Sequence, residues 1–174
     1  ARRDPASRPA VRIRIRLLDT VVEIHTEEQD AARLLGLLWG EMTAPDGAPA
    51  ARVYELAHDG KGGWIATAGD EVEAIHENLW GVTDALRYRM LELCEERLQG
   101  YVSVHAAAVA RDATHVRLAG ESGAGKTTLT LALLDAGWTY LTDDFAPVSR
   151  DTALVHPFPK PLGVKDPATW RTVR

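Results

Sequence analysis

The octapeptide Gly120-Glu121-Ser122-Gly123-Ala124-Gly125-Lys126-Thr127 constrains the fold of this chain more than any other stretch. It satisfies G-x-x-x-x-G-K-[ST], a pattern that works only with a strand before it and a helix after it. Both flanks comply. His115 to Ala119 is β-prone, and Thr127 to Ala136 carries Leu129, Leu131, Leu133 and Leu134. With 14 Gly, 4 Lys and 18 Ser or Thr in 174 residues, the pattern arises by chance about 0.3% of the time. An incidental glycine-rich turn is therefore the weaker reading.

The chemistry follows from that geometry. Glycines let backbone N–H groups approach phosphate oxygens with no Cβ in the way, and a helix N-terminus adds partial positive charge. Lys126 offers a full cation to the terminal phosphates of ATP, and the Thr127 hydroxyl suits Mg²⁺. The expected nucleotide-binding set is Gly120, Glu121, Ser122, Gly123, Ala124, Gly125, Lys126, Thr127 and Thr128, with ATP and Mg²⁺ as cofactors. A net charge of −5 does not oppose this, because the attraction is local. The same charge argues against general nucleic-acid binding, which selects basic faces.

Gly137 stops the helix, and Trp138 to Thr142 is β-prone, delivering Asp143-Asp144 at its C-terminal end. Ligands of open α/β sheets gather at the carboxyl ends of strands. Two acids there can divide the labour, one toward the metal and the other accepting a proton. Asp143 joins Thr127 as a candidate metal ligand. The competing reading is a turn after a strand, where Asp is common. His105 is expected on the strand before the loop; taken alone, it reads as a packed histidine.

The first hundred residues declare structure rather than chemistry. Val11, Ile13, Ile15 and Leu17 alternate with Arg12, Arg14 and Arg16, which predicts a half-buried strand with a basic outer face. A second strand is expected over Val21 to His25. Thr26-Glu27-Glu28-Gln29 then has capping-box spacing, opening a helix to about Trp39 that buries Ala31, Leu34, Leu35 and Leu38. Strands near Arg52–Ala57 and Trp64–Thr67 flank the turn-like Asp59-Gly60-Lys61-Gly62-Gly63. A longer helix is predicted from Glu73 to Gln99 through Ile75, Leu79, Val82, Leu86, Met90 and Leu93, with Gly100 as its stop. Trp39, Trp64 and Trp80 are expected to pack this region.

At 45% hydrophobic and 26% charged, the chain has globular composition, and no run approaches a membrane span. The Arg-rich start has no apolar secretory core behind it. Cys94 is the single cysteine, which excludes an intramolecular disulfide and points to a reducing, cytoplasmic setting.

From Val104 to about Lys165 the chain resembles the HPr kinase/phosphorylase family and its HPr-kinase-like relatives. The matching stretches are Val104-His105-Ala106-Ala107-Ala108-Val109, the octapeptide, and Asp143-Asp144, with His105 21 residues before Lys126 and Asp144 18 after it. The resemblance implies that Lys126 and Thr127 carry ATP and Mg²⁺. It further implies that Asp144 accepts the proton of a serine hydroxyl, supported by Asp143 and His105. The family's further metal-binding acid and catalytic arginine lie downstream, where Asp166, Arg171 and Arg174 fit no matching motif. The expected architecture is α/β: an N-terminal mixed α/β unit, 1–100, packed on an HPr-kinase-like P-loop nucleotide-binding domain, 101–174, incomplete at its C-terminus. The expected function is an ATP-dependent kinase acting on a serine of a protein or peptide, with a homo-oligomer left open. The alternative is a nucleotide-binding regulatory or scaffold protein with reduced catalysis.

Overall fold

In the computed structural model, which describes residues 10–143 and 145–158, the arginine-alternating segment becomes the first half of a hairpin. Strand β1 (Val11–Leu17) pairs antiparallel with β2 (Thr20–Thr26), so Ile13, Ile15 and Leu17 lie opposite Ile24, Val22 and Thr20. Helix α1 (Gln29–Trp39) and a 3₁₀ turn (Gly40–Met42) carry the chain back, and β3 (Arg52–His58) adds parallel to β2. Strands β4 (Trp64–Ala68) and β5 (Glu71–His76) follow antiparallel, giving the order β1-β2-β3-β4-β5. Helix α1 packs on β1 and β2, and α2 (Leu79–Arg97) packs on β2, β4 and β5. The core holds Ile15, Val22, Ile24, Leu35, Tyr54, Leu56 and Leu86. This unit, Ala1–Arg97, is the first of two into which the chain divides.

Four expectations for this unit need correction. The long helix does not begin at Glu73: Glu71–His76 is β5, and Asn78 starts α2 by accepting the Gly81 and Val82 N–H groups at 2.9 and 3.2 Å. Its buried stripe is Val82, Leu86, Met90 and Cys94, whereas Ile75 is exposed because it faces outward from β5. The Thr26 hydroxyl accepts the Glu28 N–H at 3.1 Å rather than that of Gln29, since the helix opens two residues later than the capping box requires, with Glu28 as its N-cap. Trp80 is exposed, while Trp39 and Trp64 are buried. Burial pushes the Cys94 thiol up to about 11, which leaves it an unreactive core residue.

The outer face of β1 and β2 is basic but not free. Glu23 accepts from Arg12 and Arg14 at 3.1 and 3.2 Å and from His25, and Arg14 also donates to the carbonyls of Pro45 and Ala48. The His25 hydrogen bond, then the arginine charges, hold the Glu23 carboxyl below its ordinary 4.5, against the desolvation that raises it. A depressed carboxylate pKa contributes stability that is complete above the ordinary value and lost as pH falls through the folded one. Glu23→Gln should therefore lower stability at neutral pH and flatten its fall below pH 4.5. Urea titrations of both proteins from pH 7 to about 3 check this; parallel pH profiles would contradict it.

The second unit, Leu98–Arg174, contains two small sheets and one helix among its described residues. Strand β6 (Tyr101–Val104) pairs antiparallel with β10 (Ala146–Ser149). Strands β7 (Ala106–Arg111), β8 (Thr114–Ala119) and β9 (Thr139–Thr142) form the other sheet in the order β8-β7-β9. Ala106 and Ala108 pack with Leu141, Ala146, Val148 and Val155, so one face of β7 is covered by β10 and the segment after it. Alternation turns Ala107 and Val109 to the other face, and α3 (Lys126–Asp135) packs against β7. No described helix is long and apolar enough to cross a membrane.

Candidate functional site

Strand β8 ends at Ala119 and α3 begins at Lys126, so Gly120–Gly125 forms the connection between them. The loop bends through a turn in which the Ala124 N–H donates to the Glu121 carbonyl at 3.1 Å. Gly123 and Gly125 have φ of +87° and +83°, the left-handed region that costs other residues about 1–2 kcal/mol. A Cβ on Gly120 would come within 3.2 Å of the Ala124 Cβ, so the loop's two ends approach closely.

Lys126 ties the loop together. Its ammonium donates to the Gly120 carbonyl at 2.6 Å and to the Glu121 carbonyl at 3.1 Å. An ammonium has three donors, so a third is left for an anion above the loop. At the helix start Gly125 has no side-chain cap, and the Leu129 N–H makes the first turn's bond to its carbonyl at 2.9 Å. The N–H groups of Lys126, Thr127 and Thr128 precede that bond and have no acceptor within the helix. They converge with the helix dipole on the end that faces the loop. Glu121 to Gly125 and Thr128 are exposed, and Lys126 and Thr127 are half-buried.

Strand register decides what else reaches this end. Strands β8 and β9 both run antiparallel to β7, with Ala119 opposite Ala106 and Thr142 opposite Ala108. They are therefore parallel to one another, and α3 is the crossover between them. Their C-terminal ends lie together beside the N-terminal end of β7. That brings Gly120, Asp143 and His105 to one edge of the sheet. Asp143 is buried, at 6% exposure, immediately after β9. Asp144 lies outside the described residues, as do Lys160, Asp166, Arg171 and Arg174.

His105 is not within a strand. It occupies the exposed break where the chain passes from β6 to β7, because Val104 pairs with Ala146 in one sheet and Ala106 with Ala119 in the other. Thr142 carried no sequence signal beyond β propensity. It is fully buried, and its hydroxyl donates to the Phe145 carbonyl at 2.8 Å across the corner that carries Asp143.

The donor set suits a nucleotide and its metal in kind: backbone N–H groups and an ammonium for phosphate, a hydroxyl and a carboxylate for a hard cation. Among the described residues no group of three or more His, Cys, Asp or Glu can hold a metal. Mg²⁺ at Thr127 and Asp143 would thus take most of its ligands from phosphate and water. No family model, curated protein or solved structure matches this chain.

Gly125 gives a direct test of the loop. A Cβ there meets nothing within 4 Å, so Gly125→Ala carries only the cost of a left-handed backbone. The expected loss is about 1–2 kcal/mol of stability. Denaturant unfolding that shows no loss would mean the loop does not hold this conformation in solution.

Proposed function

We propose that the second unit binds ATP with Mg²⁺ at Gly120–Thr128 and transfers the terminal phosphate to a serine hydroxyl of a protein or peptide. The family resemblance supplies the reaction class. The observation that carries the reading is the β8-β7-β9 register, by which the loop, His105 and Asp143 share one end of a sheet. A glycine-rich turn of purely structural purpose has no need of a buried acid at the end of the adjoining parallel strand.

Each residue has a definable task in that reaction. The loop N–H groups and Lys126 hold the phosphate oxygens and neutralise the charge that builds on them. Bound Mg²⁺ supplies further neutralisation and alignment of the phosphates. Thr127 and Asp143 offer it oxygen ligands. Asp144 accepts the serine hydroxyl proton as the serine oxygen bonds to phosphorus. The bond from that phosphorus to the bridging oxygen breaks, and ADP leaves with its electron pair. His105 supports the acid pair from the exposed break before β7. A buried Cys94 as the single cysteine accords with a reducing compartment.

Two measurements test this proposal. Lys126→Ala should weaken ATP–Mg²⁺ binding by about 1.5–3 kcal/mol, more than tenfold, in calorimetry; equal affinity would refute the loop assignment. Asp144→Asn keeps size but loses the basic oxygen, so it should spare binding and cut single-turnover transfer by about 10²–10⁴-fold. Asp143→Asn should also lower transfer, with a larger effect on Mg²⁺ dependence. If only Asp143→Asn is inactive, the two roles are exchanged. Tight ATP binding with no transfer by wild-type protein to any serine acceptor would favour the regulatory alternative.

A further inference from the structure

We propose that Thr142 is a positioning residue, which fixes the direction of Asp143 by locking the corner after β9. This rests on the nucleotide–Mg²⁺ reading of the site and extends it to a residue outside the phosphate loop. Thr142 is fully buried at the end of β9, where a β-branched apolar residue would fill similar space. A hydroxyl there is costly unless bonded. Its partner is the Phe145 carbonyl, 2.8 Å away, so the bond closes the corner that carries Asp143.

The far side of that bridge is itself anchored. Phe145 is buried, and its ring meets that of Phe158 edge-on at 4.8 Å. The Phe158 N–H returns to the Leu141 carbonyl at 3.0 Å, next to Thr142 in β9. Leu141, Thr142, Phe145 and Phe158 therefore close a ring of contacts around the corner. Asp143 follows Thr142 directly and is buried. A carboxylate on a corner held this way keeps one direction before any cation arrives. Loss of the hydroxyl bond would loosen the corner that carries Asp143 and move part of its ordering to the moment of metal binding. Outer groups that orient a metal ligand commonly account for about 10–100-fold in metal affinity.

The test is the ratio of ATP affinity with Mg²⁺ to affinity in EDTA, measured by calorimetry on the full chain at a temperature where circular dichroism shows each variant folded. Thr142→Val should reduce the ratio about tenfold or more while leaving the EDTA affinity near wild type. Thr142→Ser, which restores the hydroxyl, should restore the ratio. If Thr142→Val does not fold, Thr142→Ala is judged by the same ratio. A hydroxyl-free variant with the wild-type ratio overturns the inference alone, as does one that loses affinity equally in Mg²⁺ and EDTA. Failure of Thr142→Ser to restore the ratio overturns it too. Wild-type protein that binds no ATP, or binds it without any effect of Mg²⁺, overturns the reading of the site and this inference together.

Discussion

The second unit depends on a strand made of small residues. Ala106, Ala107, Ala108 and Val109 are all fully buried, so both faces of β7 are covered over its first four residues. Alanine side chains let neighbours approach closely on both sides, which is how one short strand serves two layers. Their continuous apolar run is what burial on both faces demands. Larger residues at Ala106 or Ala108 would separate β7 from the Leu141, Ala146, Val148 and Val155 cluster.

Everything at the candidate site hangs from that strand. Strand β8 hydrogen-bonds to one of its edges and β9 to the other, and their parallel direction follows from both being antiparallel to β7. The loop and Asp143 then share an end although β8 and β9 are not hydrogen-bonded neighbours. Lys126 completes the arrangement locally by binding the carbonyls of Gly120 and Glu121, which closes the loop on itself. Preorganised donors of this kind pay no reorganisation when charge develops against them.

The strand–loop–helix core of the site was legible because its signals are local. Glycine spacing, a β-prone run and a leucine-rich helix all lie within about twenty residues of one another. The first four strands were legible from local signals too, the first through alternation and the third and fourth through the turn-like Asp59–Gly63 between them. Strand β5 was not: a register shift between Ala66 and Thr67 displaces its pairing, and its apolar residues also fit a helical period with those of α2. The break at His105 was hidden because it is set by two pairings distant in sequence, with Ala146 beside Val104 and Ala119 beside Ala106. Thr142 was invisible for a related reason. Its strand propensity is a property of the residue, but its bond to Phe145 exists only once the corner is folded.

The central claim is that one end of the β8-β7-β9 sheet receives the phosphates of a nucleotide. Backbone amide resonances followed during titration with ATP–Mg²⁺ test it most directly, because they report position without requiring a phosphate acceptor. The account predicts shifts at Glu121 to Thr128, His105 and Asp143, with Arg111, Thr114 and Thr139 at the opposite end unchanged. Shifts confined to the Arg111 end, or none at saturating ATP–Mg²⁺, would contradict it.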